Sequence, residues 1–144
     1  MLEYGPPEHV FVENEWYDGP RAGIANVVGQ PHRFVSQWDE QEDEYLGTFL
    51  VWPVQAAELT LEQEQWQIFC EWNDQYEVGA ASTETHPGHP GTNKRWDEIA
   101  VLLAAARASA PENARRAKAQ MVPLEREQRY ARSGPCYQMS WSLL

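Results

Sequence analysis

The chain has 144 residues, 42% hydrophobic and 12% aromatic, and its 22 Asp and Glu against 11 Lys and Arg give a net charge of −11. That length suits a single domain, residues 1–144, whose core needs no disulfide or metal, and no run of about twenty apolar residues is present that would span a bilayer. The negative charge disfavours nucleic acid and anionic membrane surfaces, because binding either requires clustered cations.

The opening Met1-Leu2-Glu3-Tyr4-Gly5-Pro6-Pro7 has neither a basic leader nor an apolar stretch, so a cytoplasmic protein is expected. Residues 9–54 read as antiparallel β structure, beginning with Val10-Phe11-Val12. Tyr17-Asp18-Gly19-Pro20 and Gly29-Gln30-Pro31 are turn sequences, since Asp bonds nearby backbone, Gly permits positive φ and Pro limits pairing. From His32 the side chains alternate, with Phe34, Ser36 and Trp38 on one face and Arg33, Val35 and Gln37 on the other. Residues 39–44 hold five acids, Asp39, Glu40, Glu42, Asp43 and Glu44, too self-repelling to bury, and are expected to form an exposed loop. Leu46 to Val54 resumes β character, with Pro53 limiting its pairing.

Near Thr60 the period changes from 2 to 3.6. Thr60 and Gln63 have the form of a capping box, Glu62 and Glu64 suit the positive end of a helix, and Trp66, Phe69, Trp72 and Tyr76 recur at helical steps with Gly79 beyond. The spacing predicts a helix over residues 61–78 with Trp72 in the core. Residues 80–93, with two His-Pro dipeptides, read as a loop. Asn93 caps a second helix over residues 94–109, whose apolar stripe is Trp96, Ile99, Leu103 and Ala106, with Ala100 and Leu102 beside it. Residues 112–120 are compatible with a short helical turn, and Ala119 to Leu124 reads as a strand. Tyr137, Met139, Trp141 and Leu143 alternate with polar residues in a last strand. The order predicts an α+β fold, an antiparallel sheet of an N-terminal meander plus C-terminal strands with two helices packed on one face.

Candidate chemistry is sparse. His86-Pro87-Gly88-His89 lacks the further ligands of a zinc site, and the acidic run lacks the spacing and central Gly of a calcium loop, so no metal or cofactor is expected. Carboxylate pairs such as Glu13 with Glu15 are abundant and unspecific. No nucleophile elbow or phosphate loop occurs, and Cys70 and Cys136 read as free thiols.

The charge, however, is split. Residues 1–78 carry sixteen acids against Arg21 and Arg33, whereas residues 79–144 carry six acids against nine bases. The acidic part also holds five of the seven tryptophans, which places aromatic and anionic surface together. Trp66, Phe69 and Trp72 belong to a helix face and are read as core. Trp16, Tyr17, Trp38 and Tyr45 lie near turns, where rings stay partly exposed, and with the five acids they form the expected recognition surface. The stretch from Trp16 to Arg21 followed by Gly29-Gln30-Pro31-His32 resembles segments of small bacterial proteins and implies no activity. The leading expectation is a non-catalytic module that binds a basic protein, an immunity-type inhibitor being one form. The alternatives are a hydrolase or isomerase using carboxylates with His86 and His89, and a Trp-lined binder of a small molecule or sugar.

Overall fold

In the computed structural model, which describes residues 2–144, the β-rich sequence forms an antiparallel meander of β1 (Val10–Trp16), β2 (Pro20–Val27), β3 (Gln30–Asp39) and β4 (Glu44–Pro53). After two helices, α1 (Ala56–Glu77) and α2 (Lys94–Ala108), the chain adds β5 (Arg115–Pro123), a two-stranded ribbon of β6 (Tyr130–Ala131) and β7 (Gly134–Pro135), and β8 (Tyr137–Leu143). The main sheet has the order β1-β2-β3-β4-β5-β8, all antiparallel, which is the α+β arrangement with helices on one face. It curls until the chain ahead of β1 meets β8. There Glu8 and Met139 exchange backbone bonds of 2.8 and 3.0 Å, and the Gly5 amide donates to the Trp141 carbonyl at 2.9 Å.

Alternation along the strands divides the apolar residues between two cores. Val10, Ala25, Phe34, Phe49, Met139 and Trp141 fill the concave side. The rings of Phe34, Phe49 and Trp141 meet pairwise at 5.7–5.8 Å, in tilted or edge-to-face arrangements suited to their quadrupoles. On the convex side Val12 and Ile24 pack against Trp66 and Cys70 of α1. A bulge explains how Val10 and Val12 reach opposite sides. Val10 pairs with Ala25 but Val12 pairs with Ile24, so β1 spends one extra residue and its facing inverts. Gly23 lies beside this bulge, where a Cβ would stand 2.3 Å from the Val12 carbonyl oxygen and 2.9 Å from the Phe34 ring. Gly23→Ala should therefore cost about 1–3 kcal/mol through overpacking. Urea denaturation measures this, and an unchanged midpoint would mean that the bulge relaxes freely.

Several local expectations are corrected. Helix α1 begins at Ala56 with Gln55 as its N-cap, and the Thr60 hydroxyl donates to the Ala56 carbonyl inside the helix at 2.9 Å, so Thr60 does not open a capping box. The box occurs at Ser82 and Thr85, ahead of and within a single 3-10 turn, Thr83–Thr85. The end of α1 is as expected: Gly79 at φ 77° donates to Tyr76 and Ala80 donates to Gln75, the paired bonds of a Schellman motif. In α2 the Asn93 side chain accepts from the Trp96 amide at 2.9 Å, as its sequence position predicts. Leu102 of that helix faces solvent.

Residues 112–120 are not helical. Strand β5 starts at Arg115, because β4 offers it partners from Thr48 to Val51, and that pairing overrides the local preference. The acidic segment is less of a loop than its charge implies. Trp38 pairs with Tyr45 and Asp39 with Glu44, so only residues 40–43 form the tip, with Asp39 Oδ1 accepting from the Gln41 and Glu42 amides. The alternation of β3 also breaks after Ser36, where the register shifts.

Candidate functional site

Helix α1 places Leu59, Glu62, Trp66, Phe69 and Cys70 on its sheet-facing stripe, and Glu62 is the exception in an otherwise apolar row. Its side chain is 1% exposed. A carboxylate that deep requires cations. Arg33 of β3, 3% exposed, reaches it at 2.8 Å, and Arg107 of α2 reaches it with Nε at 3.1 Å and with Nη2 more closely. Asn14 Nδ2 donates to it as well, at 3.2 Å. Burial pushes the Glu62 carboxyl up, but the hydrogen bonds and charge of Arg107, joined by Arg33, outweigh this and hold it below the usual carboxylate range.

The network extends on both sides. Arg33 also bonds Glu58 at 3.1 Å, Arg107 donates to Gln65 Oε1 at 2.6 Å, and Gln65 Nε2 donates to the Trp96 carbonyl at 3.2 Å. Polar side chains from β1, β3, α1 and α2 are thereby tied together under an open pocket of about 470 Å³. Trp16, Trp66, Phe69, His86, Trp96 and Tyr130 supply its rings, while Asn14, Glu62, Gln65 and Arg107 supply its polar floor. Trp66 is fixed by an Nε1 bond to the Ala131 carbonyl at 2.7 Å, and the Phe69 and Tyr130 rings meet edge to face at 4.8 Å.

Beside the pocket mouth, Glu13 accepts from Arg129 and from the Tyr137 hydroxyl, both at 2.7 Å. Burial, then the neighbouring Glu13 charge, pushes the Tyr137 hydroxyl far up, so it stays a donor. The Arg129 guanidinium lies 4.7 Å from the Trp16 ring and 4.6 Å from that of Tyr130, a cation–π arrangement.

The residues singled out for recognition separate into two places. Tyr17, Trp38 and Tyr45 come together at one end of the sheet. Trp38 and Tyr45 are 4.6 Å apart, Tyr17 and Tyr45 6.3 Å apart, and Arg21 covers the Tyr45 ring at 3.7 Å. Asp39, Glu40, Glu42, Asp43 and Glu44 adjoin this group at the β3–β4 tip. Trp16 is elsewhere, packed on Tyr137 at 5.7 Å and lining the pocket.

Trp72 is also not where the helical period put it. It is half-buried beside the 80–93 loop, stacked on Tyr76 at 5.0 Å and bonded to Thr85. His86 reaches the pocket wall, but His89 turns back to the Thr83 carbonyl at 3.0 Å. Among the described residues no three His, Cys, Asp or Glu converge as metal ligands. The sequence does contain a signal for the missed Glu62 site: Leu59, Glu62, Trp66 and Phe69 keep core spacing with an acid inside it, and such an acid must find a cation. Comparisons with protein-family models, with curated proteins and with solved structures yield no match to this chain.

Proposed function

We propose that this protein binds a small organic molecule with a flat apolar body in the pocket between β1 and the two helices. One observation carries the reading: an open pocket of about 470 Å³ has rings on its walls and a fixed polar network beneath, within the size range of small-molecule sites. Aromatic walls favour a planar ligand, since stacking adds to the area that it buries. Binding rather than turnover is favoured because Glu62 already accepts from four N–H groups and is held by two cations, which makes it a poor base. Indole serves as a neutral probe. Titration followed by NMR should move the indole N–H signals of Trp16, Trp66 and Trp96 saturably while leaving that of Trp38 in place. No movement at the three pocket tryptophans would sink the proposal.

The convergence of Tyr17, Trp38 and Tyr45 supports a second reading, in which the acidic hairpin tip contacts a basic protein. Charge there steers encounter, and exposed rings supply the contact that slows dissociation. For a cationic partner the association rate should fall steeply as the Debye length shrinks from about 10 Å at 0.1 M salt to about 3 Å at 1 M. Neutralising the five acids should lower that rate, and Trp38→Ala should raise the dissociation rate. A partner whose association ignored both salt and the acid substitutions would remove the tip from recognition.

A further inference from the structure

Resting on the pocket reading, the geometry points to a narrower ligand class: a planar aromatic that carries a carboxylate, held by Arg107 and His86 beside Trp96. Every amide on the pocket floor is engaged, Asn14 with Arg33 and Glu62, and Gln65 with Arg107 and the Trp96 carbonyl. Glu62 is saturated, as described. Glu13 takes both Arg129 and Tyr137 on Oε1, and its Oε2 has no hydrogen bond among the described residues.

Donors are left over: besides the indole N–H groups of Trp16 and Trp96 and the Tyr130 hydroxyl, which make no hydrogen bond among the described residues, two belong to basic side chains. Arg107 uses Nε and Nη2 on Glu62 and Gln65, while Nη1 makes no hydrogen bond among the described residues, and the side chain keeps 29% exposure. His86 Nδ1 accepts from the Gly88 amide at 2.8 Å, so the neutral ring carries its proton on Nε2, away from Gly88 and without a partner among the described residues. Burial, with a smaller contribution from His89, holds this imidazole below its ordinary value and favours that neutral form. Arg107, His86 and Trp96 line the same pocket. The Arg107–Gln65 pair ends on the Trp96 carbonyl, and the His86 ring lies 6.1 Å from the Trp96 indole.

A cationic side chain with an unengaged N–H, on a floor where the Glu62 and Gln65 acceptors are spent, recognises an oxygen acceptor, and a guanidinium paired with a carboxylate makes the stronger, charge-assisted bond. Glu15 is the remaining acid of the lining, and it is exposed at the mouth, where water and salt screen it. Net repulsion by the whole protein slows the approach of an anion without altering the complementarity of the floor.

Calorimetric titration of the full chain with indole-3-acetate, indole-3-acetamide and tryptamine tests this. The carboxylate should bind about tenfold more tightly than the amide, which corresponds to one charged in place of one neutral hydrogen bond, and tryptamine should bind weakest. Arg107→Lys keeps a cation for Glu62 but loses the fork, and should erase the preference for the acetate. If that variant does not fold, His86→Phe keeps the ring packing and removes Nε2–H, and should shrink the preference severalfold. Equal affinities for all three probes, or a preference that His86→Phe leaves intact, would overturn the carboxylate assignment while the pocket reading stands. Tightest binding of tryptamine would do the same and transfer recognition to Glu13 and Glu15. Failure of indole itself to move the pocket tryptophans would remove the pocket reading, and this inference with it.

Discussion

Glu62→Ala should destabilise the protein by about 3–5 kcal/mol, because it leaves Arg33 and Arg107 without the buried carboxylate that compensates them. Glu62→Gln should recover part of the loss, since the amide oxygen still accepts although its nitrogen faces cations. The pH dependence separates charge from shape. The folded Glu62 carboxyl lies below its ordinary value of about 4.3, so its contribution is complete above that value and disappears as pH falls through the folded one. The stability gap between the native chain and Glu62→Gln should therefore narrow under acid. Urea denaturation at pH 7 and at successively lower pH measures it, and a gap independent of pH would show that the Glu62 charge contributes nothing. A chain carrying Arg33→Met, Glu62→Leu and Arg107→Leu together should be far less damaged than Glu62→Ala, since the one charge that then loses its partner, Glu58, is 22% exposed and reaches water.

Trp66→Ala should cost a similar amount, about 3–5 kcal/mol, for a different reason. The ring is 5% exposed, packs on Val12, Ile24 and Tyr130, and ties α1 to the β6–β7 ribbon through its bond to Ala131. Trp66→Phe preserves most of the packing and should lose about 1 kcal/mol for that bond. Trp72→Ala should lose only about 1–2 kcal/mol, the worth of its stacking with Tyr76 and His86. Equal losses at positions 66 and 72 would contradict the burial difference between them. Because Trp66 also walls the pocket, Trp66→Ala should weaken indole binding even where the chain remains folded.

The two tryptophans illustrate how far local pattern reaches. Read as three- and four-residue steps, both rings fall on one face of α1, but six residues at about 100° each set Trp72 roughly 120° round the helix from Trp66. That rotation turns Trp66 to the sheet and Trp72 to the 80–93 loop. The start of α1 is masked differently. Thr60 and Gln63 imitate a cap, but the segment following Pro53 already turns into helix at Ala56, with Val54 and Leu59 on either side of the turn packed against the core.

The alternating strands, the change of period near Thr60, the caps at Asn93 and Gly79, and the α+β order are all legible in the chain, because each depends on side chains within a few residues of one another. The pocket is different. Arg33, Glu62 and Arg107 come from β3, α1 and α2; the two arginines read in their own segments as ordinary surface charges, and only the core spacing around Glu62 hints at burial. Their meaning depends on burial, and burial is a property of the packed layers. The β1 bulge that sends Val12 toward the helices, the curl that brings Glu8 to Met139, and the pairing that draws residues 115–118 into the sheet are likewise long-range. Hydrogen bonds and apolar contacts across such separations form only when distant segments meet, so they decide the site without marking the sequence.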